Sequence, residues 1–194
     1  MKRALLSAIL LGLTATAAQA IPITYTAVLS GANENPAITT DGTGFATVTY
    51  DATTHLLTVD VSFSDLTGLT TASHIHCCAV PPANAGVATT TPTFAGFPLG
   101  VTSGTYFNTL NLTMASSYNP AFVTAQGGIA PAEAALANGL ANGMTYLNVH
   151  SSFATGGEIR GTLTAASASV PEPATLTLLG AALVGLARRR RVSA

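Results

Sequence analysis

Leu57-Thr58-Val59-Asp60-Val61-Ser62-Phe63-Ser64 is the stretch that decides the fold. Its apolar residues fall on odd positions and its polar residues on even ones. Strand side chains alternate faces with a period of two. One face of this strand therefore meets a core and the other meets water, the pattern of an antiparallel sheet. Upstream, Asp51-Ala52-Thr53-Thr54 is a link short enough for a hairpin to a strand over Phe45–Tyr50. Before that, Ile23, Tyr25, Ala27 and Leu29 share one face of a first strand. Downstream, Asp65-Leu66-Thr67-Gly68 turns into a fourth strand that carries His74 and His76. Thr102–Met114 predicts a strand pair or one long strand. Thr145–His150 and Glu158–Thr164 predict the last strands, joined through Gly156-Gly157. Residues 79–100 and 116–128 read as loops. Ala130–Leu140, with proline near its start and Asn-Gly near its end, reads as a helix. The expectation is an all-β chain, an antiparallel Greek-key-like sandwich or barrel with one short helix.

The two ends concern delivery. Lys2 and Arg3, an apolar run from Ala4 to Leu13, and Ala18-Gln19-Ala20 have the form of a secretory signal peptide over residues 1–20. Residues 166–169 read as a linker. Val170-Pro171-Glu172-Pro173 then leads into a hydrophobic helix over 174–187, followed by Arg188, Arg189, Arg190 and Arg191. That apolar run is shorter than the ~20 residues that comfortably span a bilayer. The basic cluster should stay on the cytoplasmic side. Both hydrophobic segments read as targeting helices that flank the folded domain; the expectation for the second is a marginal, transient inner-membrane anchor, with a permanent C-terminal tail anchor as the alternative. The order Pro-Glu-Pro, hydrophobic helix, arginine cluster resembles the PEP-CTERM sorting signal. The resemblance implies recognition by an exosortase, C-terminal processing, and export to the cell surface or extracellular matrix.

The remaining domain, residues 21–165, is long enough for one real core. Its only basic residue is Arg160, against seven acids: Glu34, Asp41, Asp51, Asp60, Asp65, Glu133 and Glu158. One base and seven acids give a formal charge of −6. Such a surface has no basic patch to neutralise phosphates, which excludes nucleic acid as a partner. The two cysteines, Cys77 and Cys78, are adjacent. In an oxidising compartment they can form a vicinal disulfide, pair with another chain, or remain thiols.

His74 and His76 sit one residue apart, so a strand points both imidazoles the same way. His150 ends a later strand. Three imidazoles form a ligand shell suited to copper or zinc. Without a metal the same three would make a hydrogen-bond cluster at a sheet edge. Glu158 and Arg160 share a strand face. Their expected role is an ion pair, or contacts that support His150 from behind. No nucleophile–base pair with a third orienting group is evident, so no catalytic residue is assigned.

Five blocks carry a family resemblance: Leu29–Pro36, Gly42–Ala46, Ala72–Cys77, Tyr146–Ser151 and Gly156–Gly161. In that order they resemble the CHRD domain, which implies an all-β fold. His-x-His, a late Val-His and a Gly-Gly turn are also similar to Cu/Zn superoxide dismutases, which implies copper at His74, His76 and His150. The bridging histidine and the histidine-rich zinc loop of that family have no counterpart here. Two functions follow as expectations. The first is a non-enzymatic module of the extracellular or biofilm matrix. It would bind polysaccharide or matrix protein, with one metal ion on the three histidines. The alternative is a copper-dependent redox enzyme of dismutase-like fold.

Overall fold

The structure, a computed structural model, describes residues 21–166. The signal peptide and the sorting segment read from the sequence, with their hydrophobic helices, lie outside the described residues. Strands β1 (Ile23–Ser30), β2 (Thr43–Asp51) and β3 (Leu56–Ser64) form a hairpin meander, and β6 (Gly104–Asn111) pairs with the outer side of β3. The other half of the sheet holds β4 (Thr70–Cys77), the two-residue β5 (Gly86–Val87), β7 (Thr145–Ser151) and β8 (Ile159–Thr162). All neighbours are antiparallel, in the order β5-β4-β7-β8-β1-β2-β3-β6, with β9 (Thr164–Ala165) also on β1. The chain therefore crosses between the halves from β3 to β4, from β5 to β6 and from β6 to β7.

The sheet curls into a half-barrel, because backbone bonds tie its two ends together beside the β3–β4 crossover. Thr70 N donates to Val101 O at 2.8 Å, Gly100 N to Thr70 O at 2.9 Å, and Leu66 N to Thr102 O at 3.0 Å. The concave face is the core. Leu57, Val59, Val61 and Phe63 point into it, as their alternation requires, and meet Ile75, Leu147, Val149 and Ile159. Each such side chain contributes about 1.5–3 kcal/mol through burial. Threonine and serine line much of the opposite face of β1–β3, where Thr24 pairs with Thr49 and Thr58 with Thr109 through their hydroxyls.

Two helices close one side, not one. α2 (Ile129–Ala141) matches the expected helix, and α1 (Pro120–Gln126) forms where a loop was expected. Local chemistry explains α1. Asn119 caps it by accepting the Ala121 N–H, Pro120 suits its first turn, Phe122 is buried, and Gly127 ends it at φ 87°. A seven-residue helix has too few periodic positions to stand out from a polar segment. Within Thr102–Met114 one strand forms, β6, over Gly104–Asn111. The last expected strand splits into β8 and β9 at the buried Leu163, whose N–H goes to Thr145 O. Glu133, buried on α2, receives the Tyr50 hydroxyl at 2.8 Å and contacts His55 Nδ1 at 2.8 Å, fastening the helix to the β2–β3 hairpin. No helix among the described residues is long and apolar enough to cross a membrane.

Candidate metal centre

The register of β4 against β7 assembles the histidines. Ala72 lies opposite His150, His74 opposite Asn148, and His76 opposite Tyr146. All six belong to one face, while Ser73, Ile75, Leu147 and Val149 point into the core. The imidazoles therefore sit on the outer face of the sheet. His74 and His76 are nonetheless buried, and His150 is half-buried.

Residues 79–100 provide the cover. This segment runs along the open edge of β4 and satisfies it partly with side chains. Thr89 Oγ1 accepts the Ile75 N–H and Thr93 Oγ1 accepts the Ser73 N–H. Pro81, Pro82 and Pro92 lack an N–H, so the segment does not continue as a regular strand. It instead folds over the histidines and presents carbonyls to them.

Two of those carbonyls, with a third from the β7–β8 turn, fix the state of each ring. His74 Nε2 lies 2.6 Å from Pro92 O, His76 Nδ1 2.8 Å from Ala85 O, and His150 Nδ1 2.9 Å from Thr155 O. A carbonyl only accepts, so each of these nitrogens carries a proton and donates it. The other nitrogen of each neutral ring is then a lone pair. These three atoms are His74 Nδ1, His76 Nε2 and His150 Nε2. One ligand atom from each histidine lies within 4.8 Å of the others, and His74 Nδ1 is 3.3 Å from His150 Nε2. His76 Nε2 is buried and has no hydrogen-bond partner.

Electrostatics keep the rings neutral. Burial pushes all three below the ordinary imidazole range. For His76 it brings the value to about 4, with the other two histidines and Arg160 adding to the effect against the Ala85 hydrogen bond. Two lone pairs facing each other at 3.3 Å repel. A proton between them is opposed by burial, whereas a metal cation would bind both.

Behind the ligands stands a stack. The Tyr146 ring lies parallel to His76, with centroids 4.7 Å apart, and the Arg160 guanidinium carbon sits 4.6 Å from the Tyr146 centroid. The Tyr146 hydroxyl accepts the Ala85 N–H at 3.1 Å and lies 3.2 Å from the Ala85 O that receives His76. Arg160 donates to Asn33 O and Asn84 Oδ1 at 2.5 Å each and to Pro82 O at 2.9 Å. Arg160 thus pins the covering segment next to Ala85 and supports His76 through Tyr146.

Glu158 does other work. Its carboxylate accepts the N–H groups of Thr67 and Gly68 and the hydroxyls of Thr40 and Ser151. Burial alone would raise its pKa, but these four bonds hold it below the usual carboxylate range. Glu158 and Arg160 form no ion pair; the carboxylate nearest Arg160 is Glu34, with Oε2 3.7 Å from Nε. Glu158 supports the site at one remove, by holding the turn into β4 and Ser151, the neighbour of His150. Cys77 and Cys78 are joined by a disulfide at the end of β4. The fourth histidine, His55, lies away from the trio, on Glu133. Sequence reading missed Tyr146 and Glu34, although both fall inside blocks it quoted. It also missed the three carbonyls, which no side-chain pattern reveals.

The model of the CHRD domain matches residues 25–163. The chain belongs to the CHRD family. A PEP-CTERM protein-sorting motif matches residues 169–191 and implies exosortase processing and a surface or extracellular location for this CHRD protein. No curated protein and no solved structure matches the chain.

Proposed function

We propose that this CHRD protein is a non-enzymatic module of the extracellular matrix that holds one copper or zinc ion on His74, His76 and His150. The ligand atoms are His74 Nδ1, His76 Nε2 and His150 Nε2. One observation carries the reading: each ring spends one nitrogen on a backbone carbonyl, and one ligand atom from each of the three rings lies within 4.8 Å of the others. Orientation of ligating imidazoles by carbonyl acceptors is the usual support of histidine metal sites. Neutral imidazoles suit both copper and zinc. An ion bonded at about 2.0–2.1 Å spans nitrogens up to about 4 Å apart, which the His74–His150 pair already meets. The sorting motif supports the extracellular setting, where the domain would meet polysaccharide, matrix protein or further copies of itself.

Elemental analysis and metal titration of a tag-free, dialysed domain test the metal. One equivalent is expected, lost in the His74→Ala/His76→Ala double variant. No stoichiometric uptake, or uptake unchanged in that variant, would end the reading. Retention on the producer's own polymer, compared with a matrix-free strain, tests the setting. Equal retention in both would count against it.

A further inference from the structure

The two edges of the curled sheet end differently. Along β4 the segment 79–100 covers the open side, and the Thr89 and Thr93 hydroxyls take the N–H groups of Ile75 and Ser73. β6 is the other edge, paired on one side by β3. Two bonds fix which of its backbone groups face outward. Leu112 N donates to His55 O, which continues the β3–β6 ladder in the phase that gives Leu110, Asn108 and Tyr106 to β3. Thr109 N turns the other way, to the side chain of its own neighbour, Asn108 Oδ1, at 2.8 Å. Thr105, Phe107 and Thr109 therefore direct their N–H and C=O groups away from the sheet. Among the described residues, no turn, loop or side chain supplies a partner for the backbone of Thr105 or Phe107, or for Thr109 O. All three residues are exposed, Phe107 by 71%.

Such an edge is a template for a further strand. Proteins that keep an edge single shield it with lysine, proline, an inward-pointing charge or a bulge. β6, Gly-Thr-Tyr-Phe-Asn-Thr-Leu-Asn, has no charge and no proline, and it pairs with β3 without a register shift. The outer face of β3 and β6 carries one charge, Asp60, opposite Phe107.

We propose that β6 pairs with β6 of a second copy, antiparallel about a two-fold axis at Phe107. Phe107 then meets its counterpart, and Thr105 of each copy meets Thr109 of the other. Residues opposed in this phase exchange both backbone bonds, two at the centre and two at each flanking pair, about six in all. Thr109 N gives up Asn108 for one of them. The two Phe107 rings come together on one face as an aromatic cross-strand pair. The two Asp60 residues stand three strand spacings apart, about 14 Å, beyond the Debye length of about 8 Å at physiological salt. Because the β4 edge is covered, pairing closes at two copies and does not run on as a filament. The inference rests on the matrix reading above, which it deepens by naming how copies meet, and it does not require the metal.

Sedimentation equilibrium and amide exchange of the exported, processed protein, from about 1 µM to about 1 mM, test it. A monomer–dimer equilibrium with a dissociation constant of about 0.1 mM or tighter is expected. The Thr105 and Phe107 amides should exchange at least about threefold more slowly at the top of that range than at the bottom. Those of Tyr106 and Asn108, already bonded to β3, should not change. Phe107→Lys, at a surface position, sets two ammonium groups against each other at the axis and should weaken the dimer about tenfold or more. A monomer or a weaker dimer, assemblies that keep growing with concentration, or protection at other residues would each overturn the proposal. So would a dimer unaffected by Phe107→Lys, or protection of Thr105 and Phe107 that is independent of concentration, the mark of the chain's own segment on the edge. If Phe107→Lys does not fold, the parent's exchange map still decides. Polymer retention and metal titration report separately, so failure here leaves the matrix and metal readings standing.

Discussion

Replacing Glu158 by glutamine changes one oxygen to an NH2 group and leaves the shape intact. Four donors converge on the native carboxylate, at 2.6 Å from Thr40 Oγ1, 2.6 Å from Thr67 N, 3.2 Å from Gly68 N, and from Ser151 Oγ. The least costly arrangement keeps a carbonyl oxygen toward Thr40 and Thr67. The new NH2 then meets Ser151 Oγ, which already accepts the Phe153 and Ala154 N–H groups, and the Gly68 N–H, which cannot accept. One buried backbone donor is orphaned at about 1–3 kcal/mol, and the bonds that remain lose their charge assistance. The expected loss is about 2–4 kcal/mol, a fall in melting temperature on the order of 10 °C. Urea and thermal unfolding near neutral pH measure it. The loss should shrink toward acid. The native carboxylate's depressed pKa gives stability that is present above the unfolded value of 4.5 and lost as pH falls through the folded one. A cost below about 0.5 kcal/mol, or one independent of pH, would refute the assignment of Glu158 as the pin between β8 and the turn into β4.

Glu34 should show the opposite slope. Its carboxyl is raised from 4.5 to about 7, so across that window the unfolded chain has lost a proton that the folded chain keeps, and stability falls as pH rises. Unfolding of Glu34→Gln beside the parent at pH values spanning the window should show the variant gaining relative stability toward the alkaline end; parallel profiles would contradict this. Tyr146→Phe keeps the ring against His76 but removes the hydroxyl clamp on Ala85. Competition titration should find metal affinity lowered by about tenfold or more with unchanged stoichiometry, and an unchanged affinity would show that the clamp does not orient His76. Copper-loaded protein should turn over redox substrates no faster than free copper, and a clear excess rate abolished by His74→Ala would favour the enzymatic reading.

The alternation over Leu57–Phe63 was enough to read an antiparallel sheet, because a period of two is fixed by strand geometry. His74 and His76 were legible for the same reason. The placement of His150 beside them depends on the β4–β7 register, which the sequence only suggested through block order. α1 escaped because its signals, Asn119 as cap and Gly127 as stop, are also turn signals. Glu158 and Arg160 share strand parity, yet their side chains reach opposite ways, to the 67–68 turn and to the 82–84 segment. Parity gives a face, not a partner. The carbonyls of Ala85, Pro92 and Thr155 were invisible because they belong to the backbone of irregular segments.

The most direct test is an anomalous-scattering map of crystals grown with one equivalent of copper or zinc. The account predicts a single peak within bonding distance, about 2.0–2.3 Å, of His74 Nδ1, His76 Nε2 and His150 Nε2. The carbonyls of Pro92, Ala85 and Thr155 should still accept from the opposite nitrogens. A peak elsewhere, bonding through those opposite nitrogens, or no peak at all would contradict it.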